Sequence, residues 1–396
     1  MDAPTVEVSK IVAGGDGLAR GDDGRVVFVA GALPGEQVRV QLTERRKDFA
    51  RATVVEILHR SPDRVTEPCS FVAAGCGGCD WQHIDPSAQR RLRADIVQDA
   101  LRRQARVELQ VELGPDLPAT GYRTTVRGAA LDGRFGFRHR GSHDLVPVAP
   151  CLVAHPRLDE LIREGRFPNG EVILRVGART GERLVIVDRV DGVMVPDDVR
   201  VVTKAQLRSG TRAWYHEVVA DQRWRISARS FFQARPDGAE ALVAEVTRAL
   251  TGSLAAGTHL VDLYGGVGLF AGTVGALGGV AQVTLVESGA SAVADARVNL
   301  TEVDARVLKG DVARWSPTRA GAVIADPPRM GLGKTGVAAV ASTHADRLAL
   351  VSCDPASLGR DAKLLFEAGY ELRSATLVDL FPHTSHVEVV SRFDRT

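Results

Sequence analysis

The chain comprises 396 residues, 44% hydrophobic and 25% charged, with a formal net charge of +1. This is the composition of a soluble globular protein too long for one ordinary core, so two or three domains are expected; the near-neutral total by itself says nothing for nucleic acid. No apolar run approaches the ~20 residues that cross a bilayer, and MDAPTVEVSK has neither the basic start nor the apolar core of a signal peptide, which points to the cytoplasm and away from membranes.

Residues 1–60 read as short strands between glycine turns: VEVSKIV, then RVVFVAGALPGEQVRVQL, then RATVVEIL after a basic loop. Val38, Val40 and Leu42 alternate with polar neighbours, the two-residue period of a half-buried strand. About five strands in so short a segment close most economically into a small barrel, which leaves no exposed edge. The loop carrying Arg45, Arg46, Lys47 and Arg51 is expected on one rim, and RNA contact is a common use of such barrels. A second basic concentration follows at 122–140, where Arg123, Arg127, Arg134, Arg138 and Arg140 face only Asp132. These surfaces either track phosphates or are solvated faces of an arginine-rich chain.

There are five cysteines. Cys69, Cys76 and Cys79 form C-x6-C-x2-C, Cys151 follows after 71 intervening residues, and Cys353 stands far downstream. In a reducing compartment clustered cysteines indicate a metal or redox centre rather than disulfides, and four plus one is the natural partition. The spacing suits a tetrahedral metal or one face of an iron–sulfur cluster, with Gly75, Gly77 and Gly78 permitting close backbone approach; it does not separate zinc from iron–sulfur. His83 is a conceivable further ligand, although a satisfied surface histidine is the simpler reading.

Residues 86–103 predict a helix, with Asp85 as N-cap, Pro86 in the first turn and Leu92, Ile96, Ala100 and Leu101 as the buried stripe; Arg90, Arg91 and Arg93 are expected to be solvated. From 120 to 230 the pattern returns to strands, takes in Cys151 and ends at SFFQARP. After Pro236, strands alternate with helices, the signature of a doubly wound parallel sheet. A helix with Leu242, Val243, Val246 and Leu250 leads into HLVDLYGGVGLF. Further strands follow at QVTLVE, ARVLKGD, GAVIADPPR, RLALVSCD, RSATLVDLFP and HVEVVSRF.

Ligands of such sheets lie beyond the carboxyl ends of the strands. DLYGGVG leaves the first strand as a glycine turn. Glu287 ends the second, where a carboxylate can accept from both ribose hydroxyls, and Asp311 ends the third, near the place of an adenine amine. This set fits S-adenosylmethionine, which carries adenosine without phosphate. The fourth strand ends in Asp326-Pro327-Pro328-Arg329. Arg329 stands where amino-group methyltransferases place an aromatic, and the loop lacks the cysteine of cytosine methylases. The fifth strand runs into LVSCDPASLGRD, residues 350–361, a strand, turn and helix with a thiol at the bend. Asp354 is placed to cap, Pro355 suits the first turn, Leu358, Leu365 and Phe366 follow at helical spacing, and Gly369 is a stop. The positive end of the helix dipole favours a Cys353 thiolate, although free cysteines are more often small buried hydrophobes.

SFFQ, DLYGGVG, DPPR, SCDPASLGRD and FPHTSHVE, in this order behind C-x6-C-x2-C and a distant cysteine, resemble the RNA (uracil-5-)methyltransferase family, and within it the iron–sulfur bacterial 23S ribosomal RNA enzymes with an N-terminal TRAM barrel. The resemblance implies a multidomain fold. It places a TRAM-like, OB-like β-barrel for RNA binding at 1–60 and a β-rich central domain with a [4Fe-4S] cluster at 61–230, whose helix 86–103 is free to pack on the catalytic domain. A Rossmann-like α/β class I methyltransferase occupies 231–396. It also implies that Cys69, Cys76, Cys79 and Cys151 hold the cluster, and that Gln233, Tyr264, Glu287 and Asp326 contact S-adenosylmethionine, with Asp311 beside them. Cys353 is then the nucleophile and Glu388 the base in making 5-methyluridine. On alternation alone Glu388, in HVEVV, faces away from Val387 and Val389 and reads as solvated. His383 and His386 are expected to orient their loop. RNA is the expected partner, 23S ribosomal RNA ahead of transfer RNA; a catalytically inactive RNA-binding iron–sulfur protein is the alternative of another class. No protein partner is implied and a monomer is expected.

Overall fold

In a computed structural model that describes residues 4–396, the N-terminal strands β1 (Thr5–Ile11), β2 (Gly17–Arg20), β3 (Val26–Ala30), β4 (Gln37–Arg45) and β5 (Phe49–His59) close a barrel in the order β1-β2-β3-β5-β4. Val6, Val8, Val27, Val29, Val38 and Val40 fill it, β-branched side chains suited to a pleated, enclosed surface. Leu42 departs from the expected alternation and is 41% exposed. The register of β4 on β5 shifts between Gln37 and Val38, between Arg39 and Val40, and again between Leu42 and Glu44, just beyond that leucine. The basic loop is the tip of the β4–β5 hairpin, and its charges are partly matched, Arg46 to Glu44 at 2.6 Å and Arg51 to Asp16 at 3.1 Å.

Helix α1 (Pro86–Ala105) starts as the sequence indicates, Asp85 accepting from the Ser87 N–H with Pro86 in the first turn. Its Ala94, Val97 and Leu101 pack into the core of the C-terminal sheet, and β6 (Glu112–Leu113) adds an edge strand to that sheet. Arg93 corrects the expectation of a solvated face: it is 1% exposed. The central sheet is built from β7 (Thr125–Leu131), β8 (Arg134–Arg138), β9 (Leu145–Pro147), β10 (Gly170–Val176), β11 (Arg183–Val187) and β12 (Val199–Thr203), in the order β12-β11-β10-β7-β8-β9. Helix α2 (Pro156–Glu164) lays Leu158, Leu161 and Ile162 into its core. A short α3 (Lys204–Arg208) and the hairpin β13 (Trp214–Val219) and β14 (Gln222–Ser227) lead onward.

The C-terminal unit runs α4 (Pro236–Leu250), β15 (Thr258–Leu263), α5 (Leu269–Val274), β16 (Val280–Glu287), α6 (Ala290–Asn299), β17 (Ala305–Lys309), β18 (Ala322–Ala325), α7 (Gly333–Ser342), β19 (Arg347–Ser352), α8 (Pro355–Glu367), β20 (Tyr370–Leu377) and β21 (Val389–Arg395). Its eight strands follow the order β17-β16-β15-β18-β19-β21-β20-β6, with β21 antiparallel to both neighbours. One core lies under α1, α7 and α8, the other under α4, α5 and α6. Both faces are covered, which is why the strands read as continuous apolar runs. Fully burying a leucine or valine contributes about 1.5–3 kcal/mol, so the sheet is held from its two faces and its carboxyl edge stays free for ligands. No helix among the described residues is long and apolar enough to cross a membrane.

Candidate active site and cysteine pocket

Strand β15 pairs with β16 on one side and β18 on the other, so the strand order reverses there and a crevice opens at the carboxyl ends. Gln233, Tyr264, Glu287, Asp311, Asp326, Cys353 and Glu388 all line one cleft of about 1860 Å³. The turn after β15 is left-handed at Tyr264 (φ 61°), Gly266 (56°) and Gly268 (95°). For tyrosine that conformation is strained and needs its surroundings to hold it. A Cβ at Gly265 would lie 2.6 Å from the Leu285 side chain, so a larger residue there requires that leucine to shift. Glu287 accepts from the Gly266 N–H at 3.1 Å and from the Gly289 N–H, one at each carboxylate oxygen. A carboxylate offers about four acceptor positions, which leaves room for two hydroxyls. Asp311 caps the turn after β17 through the Ala313 N–H at 3.0 Å, and Gln233 is buried at the cleft wall.

Sequence reasoning passed over Asp262, which opens the DLYGGVG motif. Its side chain is wholly buried, one oxygen accepts from the Ala271 N–H at 3.0 Å and the other has no partner. Burial, with Asp326 and Glu287 adding to it, pushes its pKa up to about 8. It also passed over Asp361, which accepts from the Leu332 and Gly333 N–H groups at 2.7 and 2.9 Å and so ties the loop after Asp326 to α8. Only the acidic end of SLGRD hinted at that role.

Cys353 follows β19 directly, at the mouth of α8. Asp354 caps the helix by accepting from the Ser357 N–H at 2.7 Å, and Pro355 occupies the first turn. Ser352 pairs with Val389 in the last rung of the antiparallel register of β19 and β21, so Cys353 and Glu388 leave the ladder at the same end, and the Glu388 charge acts on the Cys353 thiol. Glu388 is 5% exposed, not solvated: it lies just before β21 begins and is turned into the cleft wall beside Asp326. Burial, and then the Asp326 charge, hold its carboxyl well above the usual range. Burial pushes Asp326 up to about 7. The Cys353 thiol is pushed up to about 12, by burial first and then by Glu388 and Asp326, with Arg329 opposing. The expected thiolate is therefore corrected. A helix terminus is worth roughly 0.3–1 kcal/mol at an exposed site, too little to offset burial beside two carboxylates.

The basic segment of the middle domain divides by position. Arg123, Arg127, Arg138 and Arg140 line the cleft with Arg175 and Arg229, whereas Arg134 does not. The barrel reaches the same cleft through Gly14, Gly15, Asp16 and Gly31, not through its basic hairpin tip. A wall of guanidinium groups leading to an enclosed end suits a polyanion whose reacting base is drawn inward.

Cys69, Cys76, Cys79 and Cys151 line a second, small cavity, closed by Val72, Phe137, Val148 and Val153. The Cys69 N–H donates to Gln82 Oε1 at 3.1 Å and the Cys151 N–H to Asp159 Oδ1 at 2.7 Å, which fixes the two contributing segments. All are free thiols. Burial pushes Cys76, Cys79 and Cys151 up, Cys79 to about 11. Thiolates in such a place need a positive charge, which a metal centre supplies. No group of three or more His, Cys, Asp or Glu side chains among the described residues is arranged as it stands to hold a metal ion. His83 is corrected from a surface residue: it is 7% exposed, burial lowers its pKa to about 4, and it is not part of the cavity wall.

Comparison with known proteins matches residues 5–55 to the TRAM domain and residues 314–393 to tRNA (Uracil-5-)-methyltransferase. An uncharacterized RNA methyltransferase of Streptomyces avermitilis is 37% identical over 98% of this chain and 96% of its own length. A 23S rRNA (uracil(1939)-C(5))-methyltransferase of Chromohalobacter salexigens is 34% identical over 98% of this chain and 88% of its own. The crystal structure of the Pyrococcus abyssi tRNA (uracil-54, C5)-methyltransferase, solved with S-adenosyl-L-homocysteine, has the same fold, with a TM-score of 0.74, 24% identity and coverage of 98% and 99% of the two chains.

Proposed function

Because the chain belongs to the RNA (uracil-5-)methyltransferase family, we propose that it methylates carbon 5 of a uridine in 23S ribosomal RNA. The observation that carries this reading is that a thiol and a buried carboxyl group, both leaving the β19–β21 ladder at the same end, line one arginine-lined cleft. Bound S-adenosylmethionine supplies an electrophilic methyl group on a sulfonium. Tyr264, Glu287, Asp311, Asp326 and Gln233 would hold it, Glu287 with the acceptor positions its two backbone contacts leave over.

Carbon 5 of uracil is a poor nucleophile. The Cys353 thiol gives its proton to solvent, and addition of the resulting sulfur anion to carbon 6 makes an enolate and turns carbon 5 into the attacking atom. After methylation carbon 5 bears both methyl and hydrogen. Glu388 removes that proton, the double bond re-forms and the sulfur leaves. A carboxyl held high by burial is a stronger base when ionised, which suits a carbon acid.

In this reading residues 1–60 and the arginines of 61–230 grip RNA, and residues 231–396 with α1 carry the chemistry. Cys69, Cys76, Cys79 and Cys151 would hold a [4Fe-4S] cluster; support comes from four thiols of two distant segments sharing one apolar cavity. Methyl transfer needs no redox step, so the cluster would shape the RNA-binding surface. Incubation with methyl-labelled cofactor, unmodified 23S fragments and unmodified transfer RNA tests the function. Label as 5-methyluridine in the 23S fragment is expected; label in transfer RNA alone would reassign the substrate, and none in either would leave an inactive RNA-binding protein.

A further inference from the structure

The connection from β20 to β21, residues 378–388, ends on Glu388 and gives Phe381, Thr384 and His386 to the cleft wall. It is held from outside its own sheet. Arg93, in the middle of α1, donates through Nε and Nη2 to the Thr384 carbonyl at 3.0 and 2.9 Å, through Nη2 to the Phe381 carbonyl at 3.2 Å, and through Nη1 to Asp379 at 2.7 Å. Gln89, one turn earlier, accepts from the His383 N–H at 2.7 Å and donates to the carbonyls of Trp81 and Ile84. The Arg93 guanidinium lies 5.3 Å from the centre of the Trp81 ring. His383 sits at a φ of 63°, a conformation that persists only where surrounding contacts enforce it.

Helix α1 does not need this arginine to dock, because Ala94, Val97 and Leu101 already join the core beneath it. Withdrawing a guanidinium from water is costly, and an apolar side chain of similar volume would attach the helix more cheaply. What an apolar residue cannot do is engage two carbonyls and a carboxylate together. That is the geometry of the planar guanidinium fork, and a lysine ammonium does not reproduce it.

We propose that Arg93, seconded by Gln89, is a positioning residue for the transferase reaction: it fixes the loop that places Glu388, and its loss slows removal of the carbon 5 proton while sparing sulfur addition and methyl transfer. This rests on the reading of Glu388 as the base. The test is a single turnover of the full-length protein with methyl-labelled cofactor and the 23S fragment, quenched in denaturant, with covalent protein–RNA adduct separated from free methylated RNA. Arg93→Lys and Gln89→Leu are compared with wild type and Glu388→Gln, together with thermal unfolding and cofactor binding. Both variants are expected to form labelled adduct at the wild-type rate and to release it about 100-fold more slowly, the scale on which a displacement of about 1 Å is felt. Cofactor binding is expected to be unchanged. Gln89→Leu, which removes no charge, carries the same test where Arg93→Lys is unstable. Release at the wild-type rate, or an equal loss of adduct formation, release and cofactor binding, would overturn the proposal. Wild-type turnover by Glu388→Gln would instead overturn the reading of Glu388.

Discussion

Three thiols of the small cavity, Cys76, Cys79 and Cys151, and the single thiol of the cleft are raised by the same force, burial, yet their neighbours differ. Cys76, Cys79 and Cys151 lie against one another, against apolar side chains and against the single guanidinium of Arg123, so ionising one makes ionising the next harder. Such a group becomes reactive, or useful, only when a shared cation enters. Cys353 lies near two carboxyl groups, those of Glu388 and Asp326, with Arg329 as the opposing charge. Its thiol must give up a proton before the sulfur's electrons can go to a substrate carbon. Thiol chemistry here follows from which charges surround the sulfur, more than from exposure or helix position.

The sharpest way to break the comparison is Cys353→Ala. Formation of 5-methyluridine should fall by more than about 10⁴-fold, since loss of a covalent nucleophile removes the whole pathway, while iron content stays at the wild-type level. Glu388→Gln comes next: turnover should drop about 10²–10⁴-fold, the range of a lost general base, and a denaturant-stable adduct should accumulate. Cys151→Ser should act on the other side of the comparison. Iron in anaerobically purified protein should disappear with its visible absorption, and the unfolding temperature should fall by roughly 5 °C, while sulfur addition at Cys353 is retained. A colourless wild-type protein with stoichiometric zinc would replace the cluster with a single metal.

The smallest effect concerns pH. Because Cys353 is pushed up to about 12, its thiolate fraction is far from saturated at neutral pH. Alkylation of Cys353 by iodoacetamide should therefore rise about tenfold per unit between pH 7 and 10. Removing a neighbouring anion favours the thiolate, so Glu388→Gln should speed alkylation at a fixed alkaline pH. A plateau below pH 8 would mean that the helix dipole governs the thiol after all.

Much of the architecture is legible in local pattern. Asp85-Pro86 and Asp354-Pro355 mark helix starts because a capping carboxylate followed by proline has few other uses, and the buried strands announce themselves as apolar runs. What local pattern misses is compensation at a distance. Arg93 reads as solvated because its partner Asp379 is 286 positions away, and Glu388 reads as solvated because alternation counts faces without knowing that a second element covers one of them. Leu42 reads as buried because it continues the alternation of Val38 and Val40, which does not tell where enclosure ends along the strand, and β6, two residues long, is too short to show any period. The carboxylates at the strand ends were visible as a set only because the parallel sheet gathers its carboxyl ends on one edge.

The division of the five thiols is tested most directly by peptide mapping of the adduct that Glu388→Gln forms with methyl-labelled cofactor and 23S RNA. One cross-linked peptide is expected, containing Cys353 and carrying the labelled uridine. A cross-link on Cys69, Cys76, Cys79 or Cys151, or labelled product formed at the wild-type rate without any adduct, would contradict it.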